Sequence, residues 1–333
     1  MRGKHLADRI ARRAGYELVR AAPPAPSPGP SADESRPLPP GAEEELRADH
    51  PRLRELRARY ARVGAPLAQH TQWADEVREE HDLIRFRGDN VYVWQLRHVG
   101  EDARLKYHLL LRDVASRDRH ELLGRLKEDG LFGCWTFEYP GWPVVSRDLL
   151  DSVNELNFLD RHLQLLERPG LTVLDIGAGY GRLAHRALEA APSLARYLCV
   201  DAIPESTFLC DYYLRFRGRA DRAEVIPLDR VDDELDGRSI DLAVNVHSFS
   251  EMALETVDAW ISRVATLEVP WLFVVPNDAD QLLTSECDRT KREFGPVLDA
   301  HGYEPVVVEP IVADPAFREL IGITDHFFLF RKR

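Results

Sequence analysis

The stretch LTVLDIGAGYGRLAHRA, residues 171–187, constrains the fold more than any other part of the chain. Residues 171–176 form an apolar run that reads as a buried strand, three alternate glycines follow at once, and a helix follows them. A strand that turns this sharply into a helix needs residues that tolerate positive φ and carry no Cβ. Gly177, Gly179 and Gly181 are spaced GxGxG with Arg182 next, so the GxGxxG dinucleotide spacing is not met. Asp175 stands two residues before the first glycine. Such a turn serves either its own backbone geometry or the close approach of a ligand.

The pattern downstream places this turn in a larger frame. Strands are expected near 171–176, 196–201, 223–228, 240–246 and 270–276, with helical patterns between them. Alternating strands and helices predict an α/β fold, a parallel sheet covered on both faces. The closing stretches GYEPVVVEP and DHFFLFRK show no obvious full helix between them, so they are expected to pair antiparallel at a sheet edge. Upstream, Ser146 reads as the N-cap of a helix that stops at Pro169-Gly170. The chain divides into a basic amphipathic helix at 1–20, a proline-rich linker at 21–41, a mainly helical region at 42–145 on the acceptor side, and the domain at 146–333. Within 42–145, helical patterns cover 43–64 and 107–131, and alternation around Gly88-Asp89-Asn90 suggests a hairpin or an ordered loop.

Charge and cysteine usage narrow the function. A formal net charge of −12 argues against nucleic acid as the main partner. No apolar run approaches the ~18 residues of a membrane span, and residues 1–20 lack the apolar segment of a secretory signal. Cys134, Cys199, Cys210 and Cys287 are scattered, which predicts no zinc or disulfide framework and a cytoplasmic location. Asp232, Asp233, Glu234 and Asp236 read as a solvated loop, and no metal is expected.

The D-x-G-x-G-x-G pattern resembles motif I of the class I S-adenosylmethionine (SAM)-dependent methyltransferases. FRGDNVYVWQLR, LKEDGLFGCWTF, SRDLLDSVNELNFL, DIGAGYGRLAHR and HSFSEM are similar to stretches of the bacterial sugar O-methyltransferases, over a span from Trp73 to the C-terminus. That group is often associated with natural-product or surface-glycan gene clusters. The resemblance implies a class I methyltransferase (Rossmann-like) sheet, mostly parallel with an antiparallel edge strand, and SAM as cofactor. It implies methyl transfer to a hydroxyl of a sugar-containing small molecule, with an amine or carboxylate acceptor as the alternative. A homodimer is compatible with it. A nicotinamide oxidoreductase and a non-catalytic SAM-binding scaffold are the rivals from other classes.

In that frame each strand end acquires a role. Asp175 and the three glycines line the cofactor. Asp201 ends the second strand, where a carboxylate accepts from both ribose hydroxyls, and Ala202 adjoins it. A nicotinamide enzyme uses such an acid similarly, so Asp201 alone does not discriminate. Leu228 and Asp229 end the third strand at the adenine edge. The fourth strand, IDLAVNV, brings Asn245 and His247 to the transferring methyl, with Asn245 contacting a ligand or satisfying the strand end. His247 suits a general base, because a sugar hydroxyl is a poor nucleophile until deprotonated. Glu251 either orients His247 or acts as base, or it completes a capping box with Ser248 at the next helix start. Arg147 is a partner for the methionine carboxylate. Asn277, Asp278 and His326 face the carboxyl edge, and Tyr139 and Trp142 offer aromatic faces to a sugar ring or simply pack.

Overall fold

The computed structural model describes residues 38–68, 83–88 and 103–333. The helix expected at 1–20, most of the proline-rich segment and the hairpin reading beyond Gly88 lie outside them.

The described chain opens with α1 (Ala42–Glu45) and α2 (Pro51–Tyr60). The single helical run expected over 43–64 is broken because His50 precedes a proline and is extended, φ −58° and ψ 133°. Its imidazole instead caps α2, accepting from the Arg52 amide at 3.2 Å. The pattern over 107–131 likewise splits into α3 (Ala103–Ala115) and the short α4 (Leu122–Arg125). Asp118 between them accepts from the amides of Leu122 and Leu123 at 3.0 and 2.8 Å. Next, α5 (Arg147–Leu163) starts as expected, with the Ser146 hydroxyl accepting from the Leu149 amide at 3.0 Å.

From there strands and helices alternate. They are β1 (Thr172–Ile176), α6 (Arg182–Ala190), β2 (Arg196–Asp201), α7 (Pro204–Phe216), β3 (Ala223–Pro227), α8 (Val231–Leu235) and β4 (Leu242–Val246). The second half continues with α9 (Leu254–Thr266), β5 (Trp271–Val275), α10 (Gly295–Ala300), β6 (Tyr303–Pro310), α11 (Pro315–Ile321) and β7 (His326–Lys332). The helix α11 corrects the expectation of none between the last two strands. It is short but fully signalled: Asp314 accepts from the amides of Ala316 and Phe317, Pro315 opens it, and Gly322 closes it in the left-handed region. No helix among the described residues is long and apolar enough to cross a membrane.

The seven strands form one sheet in the order β3-β2-β1-β4-β5-β7-β6. All neighbouring pairs are parallel except those of β7, which runs antiparallel to both β5 and β6. Alternate strand residues feed two cores. Val173, Tyr197, Val244, Phe273 and Phe327 join α3, α5, α6 and α11, whereas Leu174, Leu198, Ala243, Leu272 and Phe328 join α2, α7 and α9. Burial on both faces is why the inner strands β1, β2, β4 and β5 read as nearly unbroken apolar runs. Sheet order reverses between β1 and β4, so the carboxyl ends of those strands frame a crevice.

Candidate active site

The glycine turn sits at the mouth of that crevice. Gly177 has φ 79°, donates to the Val200 carbonyl at 2.8 Å, and leaves no room for a side chain: a Cβ there would lie 2.5 Å from Ser248 Cβ. Gly179, with φ 57°, is the opposite case. Its amide donates to Asp201 Oδ2 at 2.9 Å, and a Cβ would meet no heavy atom within 4 Å among the described residues. The turn therefore presents bare backbone to open space at Gly179. Gly181 is the left-handed N-cap of α6.

Asp201, at the end of β2, accepts from the Gly179 amide with one oxygen and from the Ile203 amide at 2.8 Å with the other. Each oxygen keeps a lone pair for a ligand. Burial pushes its carboxyl up to about 7, against the two amides, with the nearby charges of Glu251 and Glu205 adding to the rise. Asp175 lies beneath the turn rather than in the crevice. It is buried, accepts from Tyr197 Oη at 3.0 Å, and is pushed up to about 7 by burial. Ala202 is half-buried beside Asp201. Beyond it, the Leu228 amide donates to Tyr60 Oη at 2.9 Å, and Asp229 accepts a two-pronged pair from Arg59 Nε and Nη2, both at 2.9 Å. The carboxylate read as an adenine acceptor is thus engaged by α2.

At the end of β4, His247 adopts φ 68° and ψ −33°, a conformation rare for a residue with a side chain. Its amide donates to the Val275 carbonyl at 2.7 Å, which holds the strained residue in the sheet. The imidazole Nδ1 is buried with no hydrogen-bond partner among the described residues. Burial depresses the imidazole to about 3, the guanidinium groups of Arg147 and Arg182 lower it further, and hydrogen bonding to Asn277 and to Pro276 opposes them. Asn277, exposed after β5, also reaches Glu251 Oε1 at 3.5 Å, so it stands between His247 and Glu251.

At several positions the structure selects between the two readings that the sequence allowed. Asn245 is fully buried. Its Nδ2 donates to the Ile176 carbonyl at 2.7 Å and to Ser248 Oγ at 2.5 Å, and its Oδ1 accepts from the Phe249 amide at 2.9 Å. It braces β1 against β4, with both ends of its amide engaged within the protein. Ser248 and Glu251 form no capping box: the Ser248 hydroxyl donates to the Ile176 carbonyl at 3.1 Å, residues 248–251 make a 3₁₀ turn, and α9 starts only at Leu254. Tyr139 is buried, stacks on His108 at 4.7 Å and donates to the Arg104 carbonyl at 2.6 Å, so it packs the interior rather than offering a face to a sugar. Trp142 packs half-buried on the same core.

Arg147 opens α5, pairs with Asp151 at 3.1 Å and bears electrostatically on His247. His326, at the start of β7, has a buried Nδ1 without a partner among the described residues. Asp278 pairs with Lys291. The sequence reading missed Arg182, which makes a two-pronged pair with buried Glu155 at 2.8 Å in both contacts. Its place directly after the last glycine was the available signal. No group of three or more His, Cys, Asp or Glu among the described residues is placed to hold a metal ion.

No family model matches the chain, and no curated protein matches it in sequence. Among solved structures, it is similar to the mitomycin 7-O-methyltransferase MmcR at 22% identity, covering 49% of each chain with a TM-score of 0.38. The match thus spans about half the length of that protein. The magnesium protoporphyrin IX methyltransferase ChlM of Synechocystis PCC 6803, solved with SAH, is 14% identical over 55% of this chain and 81% of its own, with a TM-score of 0.39. The [4+2]-cyclase SpnF is 16% identical over 67% of this chain and 92% of its own, with a TM-score of 0.41. These are partial likenesses, and the reaction has to be read from the site. The architecture expected from the sequence, a mostly parallel α/β sheet with antiparallel pairing at one edge, is the one observed.

Proposed function

We propose that the chain is a SAM-dependent methyltransferase acting on a hydroxyl of a sugar-containing small molecule. The observation that carries this reading is the carboxyl edge of β1 and β2, where Gly179 offers open backbone and Asp201 offers a carboxylate fixed by two amides. These residues fit the cofactor: the bare turn admits its amino-acid portion, and the free lone pairs of Asp201 suit a ribose diol. The sugar acceptor rests on the sequence resemblance.

When bound, the cofactor supplies a methyl group activated by a sulfonium. The protein orients the acceptor and takes its proton. His247 is neutral at physiological pH, because burial holds its imidazole at about 3, and it stands at the end of β4 as the candidate to take that proton. Asn277 adjoins the ring, with Glu251 behind it. The same depressed basicity favours a second reading, an amine or carboxylate acceptor that needs little help from a base.

Transfer of labelled methyl from SAM to a panel of glycosylated acceptors tests the reading. For a hydroxyl acceptor, His247→Ala lowers kcat by about 10²–10⁴-fold with little change in the KM for SAM. Full turnover in that variant selects the second reading, and transfer to no acceptor of any class contradicts both.

A further inference from the structure

Residues 83–88 bring a buried charge against the cofactor turn. Arg87 is 1% exposed, and its backbone amide donates to the Phe132 carbonyl at 3.1 Å. Its Nε donates to Asp148 Oδ2 at 3.1 Å, and its Nη2 donates to Glu128 Oε2 at 2.8 Å. The same Asp148 oxygen accepts from Tyr180 Oη. Tyr180 is the one large side chain within the GAGYG turn. Its ring lies 5.2 Å from that of Phe86 and 5.2 Å, edge-on, from that of Tyr213. Glu128 also takes Arg186 Nη2 at 3.1 Å from α6 and the hydroxyl of Ser146, the cap of α5, at 2.6 Å. Two guanidinium groups thus meet two buried carboxylates in a connected network, with Asp129, more exposed, 3.5 Å from Arg87 Nη1.

Resting on the functional reading above, we propose that residues 83–88 clasp the cofactor turn, with Arg87 a positioning residue that acts through Asp148 on Tyr180. Three glycines with positive φ give the turn little rigidity of its own, so Tyr180 is the handle by which its backbone is held. Phe86 holds the ring, and Asp148 holds the hydroxyl. Arg87 fixes the carboxylate that Tyr180 meets. Through Glu128 and Ser146 the network also seats the start of α5, where Arg147 bears on His247. Cofactor affinity therefore depends on a residue outside the crevice.

Calorimetric titration with S-adenosylhomocysteine tests this on wild type, Arg87→Lys, Tyr180→Phe and the double variant, with near-UV dichroism to confirm folding. Tyr180→Phe weakens binding about tenfold and Arg87→Lys by about threefold or more. In the double variant the Arg87→Lys effect disappears, leaving affinity within about twofold of Tyr180→Phe alone. Additive losses, or wild-type affinity in the folded single variants, overturn the clasp. If Arg87→Lys does not fold, Tyr180→Phe decides, since it removes one oxygen and no charge, and unchanged affinity rejects the proposal. A wild type that binds no S-adenosylhomocysteine overturns the functional reading, and the clasp as stated falls with it.

Discussion

His247 is held in a backbone conformation that only its surroundings enforce, and such residues cost about 1–3 kcal/mol each. Its placement after the fourth strand was legible, because apolar runs end at the sheet edge. Its φ was not, since nothing local in VHSF demands a left-handed residue. The strain yields a prediction: His247→Gly removes it, and after the roughly 0.5–1 kcal/mol of added chain entropy the protein gains about 1 kcal/mol. A thermal melt should then show a Tm higher by about 1–2 °C, while methyl transfer to a hydroxyl is lost. A lower Tm would mean that the imidazole contributes more through packing than the backbone loses. The Ser248–Glu251 pattern misled for a related reason. The Ser248 hydroxyl is captured by the carbonyl of Ile176, a partner 72 positions away that spacing along the chain does not reveal.

The elements were legible to different degrees. The five parallel strands lie where the sequence placed them because strands buried on both faces must be apolar along their length. The β6–β7 pair was legible from its β-branched and aromatic runs, although β6 is an exposed edge strand, whereas α11 was missed because one short helix carries little periodic signal. Its Asp314-Pro315 start and Gly322 stop were readable as punctuation. Between β1 and β4 the adhesive is Asn245, which ties the last carbonyl of β1, the Ser248 hydroxyl and the 3₁₀ turn. Asn245→Ala leaves the Phe249 amide buried without its partner, and it should destabilise the fold by about 2–4 kcal/mol. The urea midpoint should fall accordingly at unchanged m-value. A midpoint within error of wild type would return Asn245 to the list of ligand contacts.

At the scale of the molecule, the N-terminal segments are part of the two cores rather than an appendage. Leu53, Leu56 and Tyr60 of α2 pack with one face of the sheet, and Tyr107, Leu110 and Leu111 of α3 with the other. Tyr60 meets Thr207 at 2.8 Å and Arg59 meets Asp229, so α2 seals the end of β3 beside Asp201. Pairings this distant in the chain leave no mark in local pattern, which is why Asp229 read as an adenine contact rather than as the partner of Arg59. The central claim is a SAM site at the carboxyl ends of β1 and β2, and calorimetry of the full chain with S-adenosylhomocysteine tests it most directly. It predicts one saturable site, no binding of NADH, and tighter binding above pH 7 than below it. The direction follows from Asp201: its carboxyl is held at about 7, and only the ionised form accepts from both ribose hydroxyls at full strength. No binding of S-adenosylhomocysteine, or equal binding of NADH, would contradict it.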